Sequence, residues 1–192
     1  MTMTRTRNQS AALVALFAAL MAVLGLIPKI DLPFGVPITM QTFGVMLAGC
    51  LLGPRLALQA MALFLGAVAL GLPLLSGGRG GFGVFMAPSA GYLLAWPVGA
   101  LVTGWLMRAL PSSTPGRVAQ SAFVASVLGG LLVVHVSGVF GLMGIVGMDF
   151  KKAALATLAF VPGDLIKCVL TAAVCHTVAR GLPDWQFGKR SA

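Results

Sequence analysis

The chain has 192 residues and a formal net charge of +9, with 58% hydrophobic and only 9% charged residues. Its length allows one domain, and its composition argues against a soluble core and for several membrane spans. The basic residues stand in ones and twos at the ends of apolar runs, which indicates membrane orientation and argues against a nucleic-acid partner. We therefore expect one integral membrane domain over residues 1–192, with tails at 1–9 and 181–192.

The first apolar run, residues 10–27, follows Arg5 and Arg7. It is too long for a signal peptide and ends at Pro28 and Lys29, so we interpret it as the first span. Alanines recur every four residues on one face of this run, at Ala11, Ala15 and Ala19. Small residues at that spacing let another helix approach closely, and packing within the chain explains the spacing equally well.

The second and third spans follow residues 28–37, where prolines and a glycine prevent a helix from continuing. A polar segment at 38–42 leads into a short apolar run that ends near Leu52. Gly53-Pro54-Arg55 predicts a tight turn, and the third span follows at 56–72.

A glycine-rich segment, residues 76–83, comes after the third span. Its spacing fits neither of the glycine motifs that bind nucleotide phosphates, and no strand precedes it. Non-helical backbone in a membrane chain lines a cavity or lies at the surface. Arg79 is the charge within this segment, and it suits both the membrane interface and an anionic partner.

The fourth span begins at Pro88, a residue suited to a helix start, where the Ser89 hydroxyl can accept from free N–H groups. It ends near Arg108, and a fifth span starts near Val118. Four glycines between 138 and 147 leave open whether this span continues as helix or becomes a loop.

The last apolar run, residues 153–178, is long enough to cross a bilayer as one helix, and it carries two charges near its middle. Asp164 and Lys167 are three residues apart, so they share a helix face and can pair. A charge at the centre of such a helix costs about 2.5–3.5 kcal/mol, and ionisable residues there usually mark a ligand or ion path. A structural pair that neutralises itself is the competing interpretation; we favour a site for a small polar ligand.

The basic residues also predict the side on which each loop lies. With six spans and both termini in the cytoplasm, the inner side holds eight of them: Arg5, Arg7, Arg55, Arg108, Arg117, Arg180, Lys189 and Arg190. The outer side holds four: Lys29, Arg79, Lys151 and Lys152. The positive-inside rule supports this orientation. Three irregular loops, at 28–40, 73–88 and 142–152, would then face outward over a ligand cavity.

The cysteines and histidines show no spacing typical of a metal site or a disulfide, and we predict neither metal nor cofactor. Cys50, Cys168 and Cys175 lie in apolar segments, where cysteine behaves as a small hydrophobic residue. For His135 and His176, packing or a hydrogen bond between helices is the favoured role.

Six segments occur in an order that is familiar as a set. They are Val-Pro-Ile-Thr-Met-Gln-Thr at 36–42, Gly-Cys-Leu-Leu-Gly-Pro-Arg at 49–55, Gly-Leu-Pro at 71–73, Gly-Gly-Arg-Gly-Gly at 77–81, Pro-Ser-Ala-Gly-Tyr-Leu at 88–93 and Pro-Gly-Asp-Leu-Ile-Lys at 162–167. Together they closely resemble the BioY family of bacterial biotin transporters, over about residues 10–180. Two places depart from the family pattern: Ser89-Ala90-Gly91, where Thr-Gly-Gly is common, and Ala95-Trp96, where Gly and Phe are frequent.

Members of that family are the substrate-capture (S) components of energy-coupling-factor (ECF) vitamin transporters. The resemblance therefore implies an all-α membrane protein with six transmembrane helices that takes up biotin across the bacterial plasma membrane. It implies a transporter rather than an enzyme, with an ECF membrane coupling protein (T component) and two ATPase subunits as partners. The face formed by Ala11, Ala15 and Ala19 would dock on the coupling protein. The chain has no Walker lysine motif, so ATP hydrolysis would belong to the partners.

Biotin has a ureido ring with two N–H donors and a carbonyl acceptor, an apolar thioether ring and a valerate carboxylate. The resemblance implies that Asp164 accepts from a ureido N–H and that Lys167 donates to a ligand oxygen. It suggests further wall and lid residues: Arg79, Ser89, Tyr92, Thr39 and Gln41. Phe82 or Phe85 is expected to cover the thioether ring.

Three other functions stay open on sequence alone. An S component for another small vitamin is the closest, since such relatives share a fold without the Asp164–Lys167 pair. A channel or structural membrane protein is the second. An enzyme is disfavoured because no nucleophile–base pair or metal-ligand spacing stands out. The sequence does not decide whether the chain acts alone, as a homo-oligomer or with the coupling module.

Overall fold

The computed structural model describes residues 6–187, and within that range the chain is helical. Its seven α-helices are, in chain order, α1 (Arg7–Gly25), α2 (Gln41–Leu52), α3 (Pro54–Ala69), α4 (Ala90–Ala109), α5 (Pro115–Val146), α6 (Phe150–Leu158) and α7 (Val161–Gly181). A short 3₁₀ helix, Phe82–Met86, lies between α3 and α4. The described residues contain two isolated β-bridges but no longer strand. The expectation of an all-α protein is confirmed.

Four of the helices are long and apolar enough to cross a membrane: α1, α4, α5 and α7. The chain is therefore a multi-pass membrane protein. α2 and α3 have only 12 and 16 residues, fewer than the roughly 20 that a straight span needs. Gly53 separates them with φ +80° and ψ 173°, so the backbone bends there before Pro54 starts α3. The number of six spans stays a prediction.

The prediction that residues 153–178 form one helix is wrong. The run is divided at Ala159 and Phe160 between α6 and α7. Pro162 has no N–H to donate, so it fits the first turn of a helix and would disrupt the interior of one. Asp164 consequently lies in the first turn of α7, not in the middle of a span.

The glycines near the end of α5 belong to the helix, except Gly147, which ends it with φ +73°. A Cβ on Gly138 would overlap the ring of Tyr92, and one on Gly141 would lie 2.6 Å from the Cα atom of Gly91. The absence of side chains therefore lets α5 approach α4 closely. α5 is π-helical over Ser126–Val133 and again over Leu142–Val146.

The bundle is organised around α4, which packs against α2, α3 and α5. α7 packs against α2 and α5, and α1 packs against α2 and α3. Large apolar side chains fill the centre with less than 2% of their surface exposed, among them Phe64, Met21, Met46, Met61 and Met107. This packing brings the first turns of α2, α4 and α7 close together.

Two loops close this end of the bundle. In the loop of residues 26–40, Ile30 and Ile38 pair in antiparallel fashion. In the loop of residues 70–89, Leu75 and Arg79 do the same. The turn between them runs through Gly77 and Gly78 at φ +79° and +69°, a region that glycine enters without strain. The second pairing holds Arg79 at the edge of the bundle.

The ends of the described chain differ slightly from the predicted tails. α1 begins at Arg7 and so includes the last three residues of the expected 1–9 tail, because Thr6 caps it: its hydroxyl accepts from the Gln9 N–H at 3.2 Å. α7 ends at Gly181, the first residue of the expected 181–192 tail. Three of the basic residues used to predict orientation lie outside the described residues: Arg5, Lys189 and Arg190.

Candidate ligand-binding site

A cavity with about 500 Å³ of empty space, part of it open to solvent, lies between α2, α4, α5 and α7 beneath the two loops. All seven residues predicted to contact substrate line it: Thr39, Gln41, Arg79, Ser89, Tyr92, Asp164 and Lys167. They come from four separate segments of the chain, which the fold brings together. That they contact a ligand stays a prediction.

The Asp164–Lys167 pair lies at the cavity wall with side chains only 4% and 6% exposed. The Lys167 ammonium donates to Asp164 Oδ1 at 2.6 Å, as the spacing of three residues on a helix predicted. Burying two opposite charges together costs far less than burying one alone. The pair therefore depends on the partners that surround it.

Asp164 receives hydrogen bonds from three helices. Besides Lys167 of its own helix, Thr42 of α2 donates its hydroxyl to Oδ1 at 3.0 Å, and His135 of α5 approaches Oδ2 with Nε2 at 2.8 Å. An ionised carboxylate only accepts, so His135 donates in this contact. A carboxylate has about four acceptor positions, so these three bonds leave one open on Oδ2.

Lys167 has no proton left to offer. Its ammonium donates to the Thr39 carbonyl oxygen at 2.6 Å, to the Thr42 hydroxyl at 2.9 Å and to Asp164. Those three bonds use all three N–H groups of a lysine, and they tie α7 to the start of α2. A direct bond from Lys167 to a ligand oxygen would require one of these acceptors to move away.

Gln41 lines the cavity but is engaged with the backbone of its neighbours. Its amide donates to the carbonyl oxygens of Met21 and Leu74 at 3.0 and 3.1 Å, and its oxygen accepts from the Ser76 N–H at 3.2 Å. The side chain is 1% exposed. Gln41 thus joins α1, α2 and the loop of residues 70–89, and it has no free N–H for a ligand.

Arg79 and Ser89 stand at the loop side of the cavity. The Arg79 guanidinium makes two long contacts, from Nη1 to the Ser89 hydroxyl at 3.4 Å and from Nε to the Ser76 carbonyl at 3.5 Å. Three of its five N–H groups therefore take no part in these contacts. The expectation that Ser89 caps α4 with its side chain is wrong, because no such bond is present. The hydroxyl faces Arg79 instead.

An aromatic cluster forms the apolar part of the wall. Tyr92 and Phe160 lie with ring centroids 5.5 Å apart, and His135 packs against both. The Tyr92 hydroxyl bonds to Thr157 at 2.7 Å, which fixes the ring in place. The expected cover from Phe82 or Phe85 is absent, since neither lines the cavity and Phe82 is 71% exposed.

Sequence reasoning missed nine lining residues, four of them with polar or aromatic side chains: Thr42, Trp96, His135 and Phe160. For His135 a hydrogen bond between helices was expected and is present, but nothing in the sequence showed that its partner would be Asp164. The sequence did contain a signal for Thr42 as a site residue, because it lies on the polar segment 38–42, one helical turn from Thr39, which was predicted to contact the ligand. Phe160 lies in the break between α6 and α7, a boundary that the single-helix interpretation hid.

The predicted docking face lies away from the cavity, on α1. Ala11, Ala15 and Ala19 are all exposed, whereas Phe17 and Met21 of the same helix are buried. Packing within this chain therefore does not account for the alanine spacing. The role of the face in assembly stays a prediction.

Comparison with known proteins places these observations in a family context. The model of the BioY family matches residues 1–184. The biotin transporter BioY of Rhizobium etli is 45% identical over 174 residues, which cover 89% of this chain and 93% of that protein. The biotin transporter BioY of Rhodobacter capsulatus is 42% identical, covering 92% of this chain and 96% of that one.

A solved structure has the same fold. It is the crystal structure of the S component for biotin from an ECF-type ABC transporter, which superimposes with a TM-score of 0.83 at 30% sequence identity. The superposition covers 92% of this chain and 95% of that chain. The probable biotin transporter BioY of Bacillus subtilis, 43% identical over 179 residues, covers 92% of this chain and 94% of its own length.

Proposed function

Since the chain belongs to the BioY family, we propose that it captures biotin and takes it up across the bacterial plasma membrane as the S component of an ECF-type transporter. One observation carries the proposal. A buried, ionised Asp164 keeps a single open acceptor position in a cavity that also has apolar and aromatic lining residues. Such a position suits a neutral ligand with a polarised N–H and an apolar body, which describes the two rings of biotin.

In this proposal a ureido N–H of biotin donates to Asp164 Oδ2. The three donors already on the carboxylate keep it ionised and oriented, so the site is organised before the ligand arrives. Lys167 then acts on the ligand through Asp164, because its own N–H groups are all engaged. The thioether ring packs on Tyr92 and Phe160, whose side chains line the same cavity.

Arg79 is the natural partner for the valerate carboxylate. It lines the cavity from the loop side, and three of its N–H groups are not used in its contacts with Ser76 and Ser89. A guanidinium binds a carboxylate in a planar, two-pronged arrangement that a lysine does not reproduce. Ser89 supports the Arg79 side chain from α4.

The membrane arrangement follows from the same proposal. Six spans, with α2 and α3 counted as short spans and α6 with α7 as the sixth, put both termini in the cytoplasm and the two cavity loops outside. Biotin would enter from outside between these loops. The exposed face of Ala11, Ala15 and Ala19 would dock on the T component, which with two ATPase subunits would supply the energy for uptake.

The experiment that tests the function is binding of a panel of labelled vitamins to the purified protein. We expect saturable binding of biotin and none of riboflavin, thiamine or folate. Saturable binding of another vitamin in place of biotin would assign the chain to a different S-component specificity. Absence of binding for the whole panel by a folded sample would favour a channel or structural role.

A further inference from the structure

Trp96 has a property that the proposed binding mode leaves unexplained. It lies in the middle of α4, is 4% exposed and lines the cavity. Among the buried side-chain nitrogen and oxygen atoms of residues 6–187, its Nε1 is the one without a hydrogen-bond partner. An indole N–H can only donate. Leaving such a donor buried and unpaired costs about 1–3 kcal/mol, a cost that a ligand with an acceptor would remove.

The other polar groups of the wall do not need a ligand in this way. Gln41, Tyr92 and Lys167 all bond to protein groups. His135 donates to Asp164. The Trp96 Nε1–H is therefore a buried donor of a cavity-lining side chain without a protein partner, and a ligand oxygen atom would supply one.

Biotin offers two kinds of oxygen, in the ureido carbonyl and in the carboxylate. Trp96 follows Ser89 by seven residues, so it lies about 10 Å further along α4 at 1.5 Å per residue. Arg79, the cation that suits the carboxylate, contacts Ser89 at the start of that helix. Trp96 is thus separated from the carboxylate end of the cavity by about the length of the ligand.

We propose that Trp96 donates its Nε1–H to the ureido carbonyl oxygen of bound biotin; the inference rests on the proposed function. The ureido ring is then held on two sides, with one N–H on Asp164 Oδ2 and its oxygen on Trp96. Lys167 does not supply this donor, because its three N–H groups are already used. Trp96 selects for a carbonyl oxygen at that point of the ring.

The test compares biotin with 2-iminobiotin at pH 7, where a protonated imino group that can donate but not accept replaces the ureido oxygen, on the purified wild-type protein and on Trp96→Phe. Phe keeps the apolar ring and removes the donor. We expect biotin affinity to fall about five- to tenfold, the effect of one hydrogen bond, and the preference for biotin over 2-iminobiotin to shrink by the same factor. Trp105→Phe is the matched control, since Trp105 is on the same helix but 55% exposed; it should leave both affinities unchanged.

A spectroscopic readout covers the case in which Trp96→Phe does not fold. The indole N–H resonance of Trp96, identified by elimination with Trp105→Phe and Trp185→Phe, should move downfield when wild-type protein binds biotin but not when it binds 2-iminobiotin. Equal loss of affinity for both ligands, or an unmoved resonance, overturns the inference while the biotin function stands. A wild-type protein that binds no biotin overturns both.

Discussion

At the scale of single residues, the site is a buried charge held by neutral and charged partners from three helices. Asp164 and Lys167 share Thr42, whose hydroxyl accepts from the ammonium and donates to the carboxylate. His135 closes the network on the other carboxylate oxygen. In a low-dielectric interior such a network stabilises only when every member is paired, and removing one member of a buried ion pair costs about 3–5 kcal/mol.

Asp164→Asn should weaken biotin binding by about 1.5–3 kcal/mol, the range for hydrogen bonds to charged groups. The amide removes the negative charge and one of the two acceptor oxygens, so it cannot accept from Lys167, Thr42, His135 and the ligand together. The measurement is the biotin dissociation constant of the purified variant, with folding checked by its thermal midpoint. Asp184→Asn is the control, because Asp184 is exposed beyond the far end of α7. Unchanged affinity in Asp164→Asn and in Lys167→Ala would leave the pair a purely structural role.

We expect Gln41→Leu to lower the stability of the ligand-free protein and to have a smaller effect on the affinity for biotin. Three backbone groups, of Met21, Leu74 and Ser76, would lose their partner, at roughly 1 kcal/mol or more each. Thermal unfolding of the purified protein without biotin measures this loss. Gln120→Leu, at an exposed position of α5, should have almost no effect. Normal stability with lost biotin affinity would instead make Gln41 a ligand contact.

At the scale of helices and loops, the sequence predicted elements well where a residue has a local effect on the backbone. Pro54 and Gly53 mark the bend before α3 in the sequence and in the structure alike. Pro162 carried the same kind of signal, but the apolar run around it suggested one long helix and hid the break before α7. The Asp164–Lys167 contact could be predicted from helical spacing, whereas His135 could not, because its contact joins residues 29 apart through packing of α5 on α7.

The loop of residues 70–89 depends on glycines at positive φ. Gly81→Ala should weaken biotin binding by about 1–3 kcal/mol, the cost for a residue with a Cβ of a backbone conformation that only glycine adopts readily. A Cβ at Gly81 meets no neighbouring atom, so the effect comes from its φ of +83° and not from a clash. Biotin association and dissociation rates of the purified variant measure it.

Gly83→Ala provides the control for the loop variant. It also has open space around it, but its φ is not in the positive region. We therefore expect it to bind biotin at wild-type rates. Equal rates for Gly81→Ala and Gly83→Ala in folded protein would show that the loop conformation does not control access to the cavity.

At the scale of the whole molecule, the fold separates two surfaces. The cavity and its loops lie at the end where α2, α4 and α7 begin. The alanine face of α1 lies on the outside of the bundle, on a helix whose main contacts within residues 6–187 are with α2 and α3. Ligand capture and assembly can therefore be altered independently, which makes the two proposed roles separable by mutation.

The proposed orientation can be measured through the ends of α5. This helix of 32 residues is about 48 Å long at 1.5 Å per residue, longer than the roughly 30 Å hydrocarbon core. Lys151→Cys, just beyond its C-terminal end, should react with an impermeant thiol reagent from outside whole cells, and Ser113→Cys should not. The three native cysteines are buried, so background labelling should be low. The reverse labelling pattern would place the cavity loops in the cytoplasm and contradict uptake from outside.

Replacing Ala15 and Ala19 together with Trp should abolish energised biotin uptake while leaving biotin binding by the isolated chain intact. The large rings would hold a partner helix several ångströms away and remove the close packing that drives helix association in membranes. Both positions are exposed in this chain, so the substitution should not disturb its own fold. Leu132→Trp is the control, because Leu132 is 50% exposed on α5, a helix that makes no substantial contact with α1 in the described part of the chain. Uptake is measured in cells that co-express the coupling module, and biotin binding is measured on the purified variant. Wild-type uptake by the Ala15/Ala19 variant, in cells where uptake requires the module, would show that the alanine face is not the docking surface.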